Sequence, residues 1–181
     1  MEDAVVFLDR DGTINEDRGY IGNPDDIILF ENAAEAVKRL NGRGIKVIVV
    51  TNQSGVGRGY FSGEALDGVN KKVLELLGLA GARVDGIYYC PHTPQDGCDC
   101  RKPGTALIAR AIAEHGISAR NAYVIGDKGS DIELARNISA KGVLVLTGKG
   151  RDETQKLSFQ PDFVAKDIMD AVLWITEDLK V

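Results

Sequence analysis

Short apolar runs alternate along the chain with stretches whose apolar residues recur at helical spacing. Ala4–Leu8, Lys46–Val50, Gly86–Tyr89, Ala122–Ile125 and Gly142–Leu146 are brief, β-branched or aromatic, and apolar at successive positions. That is the pattern of strands covered on both faces. Between them, Ala33–Leu40, Gly63–Leu77, Thr105–His115 and Ser130–Asn137 read as helices. Ser62 and Ser130 suit N-caps, and Gly42, Gly78 and Gly116 stand where C′ glycines belong. A glycine- and charge-rich connector, Gly148 to Gln160, leads to a weak strand near Asp162–Val164 and a last helix, Asp167–Leu179. Such alternation predicts an α/β fold, a doubly wound parallel sheet in a Rossmann-like three-layer sandwich with little room for a cap. No repeat, low-complexity segment or linker interrupts it, so one domain over residues 1–181 is expected.

Composition narrows the class. With 44% hydrophobic and 27% charged residues, disorder, collagen-like fibre and coiled coil are excluded. No apolar run approaches the ~20 residues a membrane span needs. The acidic start, Met1-Glu2-Asp3, lacks the basic region of a signal peptide, so a soluble cytoplasmic protein is expected. The net charge is −5 and no basic run exists, which argues against wrapping a nucleic acid. Many of the 21 glycines follow apolar runs, where tight turns or close approach to a ligand would use them. His115 reads as a solvated helix end, Trp174 as core beside Val172 and Ile175, and Glu177-Asp178 as a solvated face.

Chemistry concentrates at strand ends. Asp9 and Asp11 follow the first strand, two residues apart, and could divide the labour of nucleophile and proton donor, bind a hard cation together, or simply end the strand in a turn. A second strand, Tyr123 to Gly126, also ends in an acid, Asp127, with Lys128 beside it and Asp131 four residues on. If the strands are neighbours, Asp9, Asp11 and Asp127 converge, and their mutual repulsion calls for a divalent cation such as Mg²⁺. Thr51-Asn52-Gln53-Ser54-Gly55 offers neutral donors in a compact loop, as phosphate cradles do, although an ordinary turn has the same composition. Arg101 and Lys102 place two cations before a helix, where Lys102 could answer the charge of a transferring phosphoryl group. Jointly these describe a Mg²⁺-dependent phosphoryl-transfer site.

All three cysteines and one of the two histidines fall between Cys90 and Cys100, in C-x-H-x₅-C-x-C spacing. Cys90, His92, Cys98 and Cys100 match a closed tetrahedral Zn²⁺ site, structural rather than catalytic. An odd thiol count in a reducing compartment argues against disulfides. The cluster would staple the 90–100 loop that leads into Arg101 and Lys102.

These residues resemble the haloacid dehalogenase superfamily of phosphatases. Asp9-Arg10-Asp11-Gly12-Thr13 matches its first motif, Thr51-Asn52 its second, Lys102 its third and Gly126-Asp127 its fourth. Asp17-Arg18-Gly19-Tyr20, Gly55-Val56-Gly57-Arg58-Gly59, the Cys90-Pro91-His92 loop, Cys98-Asp99-Cys100-Arg101-Lys102-Pro103 and Gly126-Asp127-Lys128 resemble the family of D-glycero-D-manno-heptose 1,7-bisphosphate 7-phosphatases, in the same order over essentially the whole chain. Two departures adjoin the substrate-facing loop: the stretch between His92 and Cys98 is short, and a second proline before Gly104 is missing.

The resemblance implies that Asp9 attacks phosphorus to give an aspartyl phosphate, while Asp11 protonates the leaving oxygen and later deprotonates water. Mg²⁺ would lie between Asp9, the backbone carbonyl of Asp11 and Asp127. Thr51 and Lys102 would hold the phosphoryl group, with Asn52, Gln53 and Ser54 in the same loop. Arg101, Lys128 and the segment Asp17, Arg18, Gly19 and Tyr20 would face the sugar. It also implies a place in the supply of ADP- or GDP-activated heptose for lipopolysaccharide. Arg10 is expected to alternate away from Asp9 and Asp11 in a structural role. Arg18, Arg58, Arg101 and Lys128 are then left for the rim, suiting a small phosphorylated sugar with a second phosphate better than cationic histidinol phosphate.

Histidinol-phosphate phosphatase, which shares the first two motifs and a similar metal loop, is the main rival. A polynucleotide 3′-phosphatase would want a basic groove. A phospho-accepting receiver module would carry its acceptor at the third strand end, and a zinc-dependent binding module would leave Asp9, Asp11 and Asp127 idle. A monomer without nucleic-acid or membrane partners is expected.

Overall fold

The computed structural model describes residues 4–179; Met1–Asp3, the acidic start discussed above, and Lys180–Val181 lie outside them. Six strands, β1 (Val5–Leu8), β2 (Lys46–Asn52), β3 (Gly86–Cys90), β4 (Ala122–Gly126), β5 (Lys141–Val145) and β6 (Phe163–Ala165), form one sheet in the order β3-β2-β1-β4-β5-β6. Every pairing is parallel, with Val5 opposite Lys46 on one side and Ala122 on the other. The order reverses on either side of β1, so the strand tips of β1 and β4 border the crevice where doubly wound sheets bind ligands.

Helices α1 (Ala33–Gly42), α3 (Gly63–Leu79) and α7 (Ile168–Asp178) cover one face; α4 (Ala106–His115) and α5 (Gly129–Asn137) cover the other. The two-residue period of a strand sorts the core between them. Val6, Leu8, Val47, Val49 and Ile125 pack toward the first face, and Val5, Phe7, Ile48, Val50 and Val124 toward the second. Both sets are buried, which is why these strands read as unbroken apolar runs. Among the described residues no helix is long and apolar enough to cross a membrane.

Several boundaries differ from expectation for local reasons. Ser62 caps α3 through its hydroxyl, which accepts from Ala65 N–H at 3.1 Å. Ser130 does not cap α5: the helix begins a residue earlier, and the Asp131 carboxylate accepts the Lys128 N–H instead. Gly42 and Gly78 lie inside α1 and α3, and the left-handed positions fall on Gly44 and Gly81 just beyond. Gly116 does end α4 with φ +59°. The sequence pattern passed over the one-turn helices α2 (Ser54–Gly57) and α6 (Gly150–Glu153) and the 3₁₀ turns Pro24–Asp26 and Pro94–Asp96, all too short to show a period. Trp174 is only partly buried, stacked on Phe163 at 5.1 Å. Asp178 is not merely solvated, since Tyr123 Oη donates to it at 2.5 Å and Lys141 pairs with it.

Candidate active site

The C-terminal tips of β1 and β4, the first turn of α5 and the loop after β3 bring three acids and two lysines to one place. Asp9 leaves β1 with its N–H on the Ile125 carbonyl at 2.9 Å, which ties the first tip to β4. Its Oδ1 accepts from Lys102 Nζ at 2.8 Å, and the same ammonium reaches Val50 O at 2.7 Å and Asp131 Oδ1 at 2.6 Å. Lys128 Nζ stands 3.5 Å from Asp9 Oδ2, 3.3 Å from Asp127 Oδ1 and 3.4 Å from the Asp11 carbonyl oxygen. Asp9, Lys102, Asp127 and Asp131 are all buried.

Burial pulls these groups toward neutrality, and the charges around them decide each case. For Asp9 burial is outweighed by Lys102 and Lys128, which hold its carboxyl well below the usual carboxylate range. Burial wins at Asp127, where with the charges of Asp9 and Asp131 it overcomes Lys128 and pushes the carboxyl up to about 7. Asp131 is raised too, chiefly by burial. Burial would discharge Lys102, but Asp131 and Asp9 keep its ammonium. The cluster is therefore short of positive charge. Asp9, Asp127 and Asp131 each offer an oxygen within 4.8 Å of the others. Buried Asp9 Oδ2 and Asp127 Oδ1 accept no hydrogen bond. Converging carboxylate oxygens that accept no hydrogen bond fit a hard cation such as Mg²⁺.

The Asp11 carboxylate belongs to a different set, and Asp131 rather than Asp11 completes the acidic group. Strand β1 ends at Leu8, so its alternation does not continue to Asp11, which lies in a turn bridged to Asn15. Arg10 does not alternate away, because its Nε and Nη2 reach Asp11 Oδ1 and Oδ2 at 3.0 and 2.8 Å. Asn15 Nδ2 donates to Oδ1 at 2.9 Å and Gln53 Nε2 to Oδ2 at 2.7 Å.

Three glycines leave the acids their space. A Cβ on Gly12 or Gly148 would lie 2.1 or 2.2 Å from Asp127 Oδ2, and one on Gly126 2.1 Å from Asp131 Oδ2. The β5 exit closes the site: Lys149 N–H donates to Asp127 Oδ2 at 2.8 Å, and Thr147 Oγ1 to the Gly12 carbonyl at 2.6 Å.

At the β2 tip Thr51 is buried and its Oγ1 accepts from Gln53 Nε2 at 2.9 Å. Asn52 faces the chain around Lys102, accepting its N–H at 2.9 Å and donating to its carbonyl at 3.2 Å. Ser54 opens α2. Asp17 reaches inward to Lys128 at 3.7 Å and accepts the Gly19 N–H. Arg18 instead pairs with Glu16 on the surface at 3.8 Å. Tyr20 is exposed, edge-on to Tyr60 at 4.7 Å, and Arg58 is exposed at the end of α2. Arg101 Nη1 lies 3.4 Å from the His92 carbonyl. Lys128, expected at the sugar-facing rim, stands among the carboxylates.

Cys90, His92, Cys98 and Cys100 converge with their ligand atoms within 4.8 Å of one another. Sulfur–sulfur separations are 3.2–3.5 Å and His92 Nδ1 lies 3.2 Å from Cys100 Sγ, so no disulfide exists. These edges are close to those of a tetrahedron with metal–sulfur bonds of ~2.3 Å. Burial raises the Cys90 thiol, whereas hydrogen bonds from Cys100 and Cys90 outweigh burial at Cys98 and lower it to about 7. Thiolate character in a packed Cys₃His group suits a soft divalent metal.

Sequence reasoning did not assign Asn15, Asn70, Asp131 or the β5 exit to the site. Asp131 carried a signal, an acid in the first turn of the helix after an acid-tipped strand. Asn70 carried a weaker one, an amide on the apolar stripe of α3.

Residues 99–171 match the HAD-hydrolase-like family model. D-glycero-D-manno-heptose-1,7-bisphosphate 7-phosphatase of Thermosynechococcus vestitus is 38% identical, across 99% of this chain and 98% of its own. D-glycero-beta-D-manno-heptose-1,7-bisphosphate 7-phosphatase of Pseudomonas aeruginosa is 43% identical across 83% of this chain and 85% of its own. Among solved structures, D,D-heptose 1,7-bisphosphate phosphatase from B. bronchiseptica, complexed with magnesium and phosphate, superposes with a TM-score of 0.90 at 29% identity, covering 98% of this chain and 99% of that one.

Proposed function

The chain belongs to the heptose-1,7-bisphosphate 7-phosphatase family of HAD-like phosphatases, and from that premise we propose that it hydrolyses the 7-phosphate of D-glycero-D-manno-heptose 1,7-bisphosphate. The observation that carries the chemistry is Asp9: a buried carboxylate kept ionised by Lys102 and Lys128, with its Oδ2 free of hydrogen bonds. Asp9 attacks phosphorus, the bond from phosphorus to the C7 oxygen breaks, and Asp11 gives that oxygen a proton. Water then attacks the aspartyl phosphate, Asp11 takes the water proton, and inorganic phosphate leaves.

The donors around Asp11 suit its carboxylate form. Gln53 lies between Asp11 Oδ2 and Thr51 Oγ1. With its amide turned over it would accept from both, so the pocket accommodates a protonated Asp11 as well. Lys102 and Lys128, beside Asp9, are placed to meet the charge on the transferring phosphoryl oxygens, and Thr51 to hydrogen-bond one of them. Asp9, the Asp11 carbonyl oxygen and Asp127, with Asp131 behind them, would hold Mg²⁺, which when bound supplies the positive charge this cluster lacks. Cys90, His92, Cys98 and Cys100 would hold Zn²⁺ as a closed structural site that fixes the approach to Arg101 and Lys102. One chain supplies every residue of both clusters, which supports a monomer, and unpaired thiols suit the reducing cytoplasm.

Phosphate release with heptose 1,7-bisphosphate and histidinol phosphate, side by side with Mg²⁺, tests the reading. We expect a much higher kcat/KM for the heptose ester and its erosion in Arg101→Ala. Equal or better turnover of histidinol phosphate refutes the substrate assignment.

A further inference from the structure

Behind Asp11 stands a polar chain that the reaction as described does not use. Arg10 is the largest fully buried side chain described. Its guanidinium bends back onto the carboxylate of its own sequence neighbour, meeting both oxygens, and its Nη1 donates to Asn70 Oδ1 at 2.8 Å. Asn70 is buried on α3, on the stripe that carries Leu66, Val69, Val73 and Leu77. An amide in an apolar seam costs stability unless it is bonded, and Arg10 is the bond it makes. A guanidinium fork fixes the plane of a carboxylate only if the fork is itself fixed. Asn70 fixes it from sixty residues away in sequence.

We propose that Asn70, acting through Arg10, is a positioning residue that aims the Asp11 carboxylate at the leaving-group oxygen. This rests on the reading of Asp11 as the proton donor and acceptor, and the test separates the two. Benzyl phosphate releases an alcohol oxygen that must be protonated as it leaves, whereas 4-nitrophenyl phosphate releases a stable anion that need not be. Because kcat/KM runs only through formation of the aspartyl phosphate, it reports the acid step alone. The later water step, which needs Asp11 as base, is common to both esters and appears in kcat.

In Asn70→Leu, kcat/KM for benzyl phosphate should fall at least about tenfold, part of the ~10²–10⁴-fold that general acid–base catalysis supplies. For 4-nitrophenyl phosphate kcat/KM should stay within about twofold while kcat and KM fall together, with a burst of nitrophenolate before the steady state. Arg10→Lys keeps the charge but cannot span both oxygens, and should behave in the same way. Asn70→Asp keeps an acceptor for Nη1 and should restore benzyl phosphate turnover. Damage to the fold alone would lower kcat/KM for both esters equally, without a burst. That result, or no loss in Asn70→Leu, overturns the proposal when Asp11→Asn still discriminates between the esters. If Asp11→Asn itself treats them alike, the reading of Asp11 fails, and the proposal with it.

Discussion

Replacing Lys102 by Met keeps most of the side-chain volume and removes one ammonium. That ammonium serves Asp9 at 2.8 Å, Asp131 at 2.6 Å and the Val50 carbonyl at 2.7 Å, and it is nearly inaccessible to water. Breaking a buried ion pair by deleting one partner costs about 3–5 kcal/mol, because the other charge is stranded. Lys128 still stands 3.5 Å from Asp9, so Asp131 is the carboxylate left stranded and the lower part of that range applies. With a urea dependence near ~2–3 kcal/mol/M for a chain of this size, the unfolding midpoint at pH 7 should drop by about 1–2 M. The structure also fixes the sign of a second change. Asp131→Asn by itself unpairs Lys102 from one of its acids and should destabilise. Added to Lys102→Met it removes the stranded charge, so it should recover at least about 1 kcal/mol. Urea unfolding of the two single variants and the double variant, by far-UV circular dichroism without added divalent ions, makes the comparison. A midpoint shift below about 0.3 M for Lys102→Met, or strictly additive losses in the double variant, would refute the picture of one ammonium shared by two buried acids.

Asp9→Asn should still fold, since Lys102 keeps Asp131 as a partner, yet show no turnover, since an amide forms no acyl phosphate; activity in a preparation cleared of contaminating phosphatase would count against covalent catalysis. Cys98→Ser should lower bound zinc from about one per chain, measured by elemental analysis, and expose the remaining thiols to a thiol reagent. Zinc-free wild-type protein with three freely reactive thiols would remove the metal from that loop. Tyr88 donates to Glu114 at 2.6 Å, and burial, then that bond, pushes its hydroxyl up to about 12. A raised value means stability that is whole below the unfolded tyrosine's ~10 and lost as pH climbs toward the folded one, up to ~2–3 kcal/mol. Tyr88→Phe should flatten that alkaline slope, and an unchanged slope in chemical denaturation would show that Tyr88 does not cause it.

The strands were legible because a parallel sheet covered on both faces demands apolar side chains at every position, so β1, β2 and β4 announced themselves as runs such as Val5 to Leu8. The tips were legible because two separate apolar runs each end in an acid, at Asp9 and Asp127, which a strand-ending turn explains less well than a shared site. What a linear reading misses is pairing across the fold. The spacing of Arg10 and Asp11 suggests side chains pointing apart, yet the end of β1 at Leu8 frees the turn to bring them together. Nothing within α3 says that Asn70 will meet Arg10, since that contact depends on how α3 docks on the sheet. Lys128 was legible as a cation near the site but not as one placed among Asp9, Asp127 and Asp17, because its direction follows from the capping of α5 by Asp131. The cysteines were the opposite case: their spacing is local, with all three and His92 inside one eleven-residue window.

The glycines around the acids divide the chain into positions where change is safe and positions where it is not. At Gly12, Gly126 and Gly148 even the one added carbon of alanine would occupy the place of a carboxylate oxygen. Each such replacement must push Asp127 or Asp131 aside, so activity would be lost by displacement of a neighbour without any change in charge. Gly42 and Gly78, inside α1 and α3, face open space with nothing within 4 Å of a built Cβ. Alanine there should add about 0.5–1 kcal/mol of stability apiece by restricting the unfolded chain and favouring the helix. An engineer seeking a hardier phosphatase thus has a route through the two helices, while the mould around the acids admits no revision.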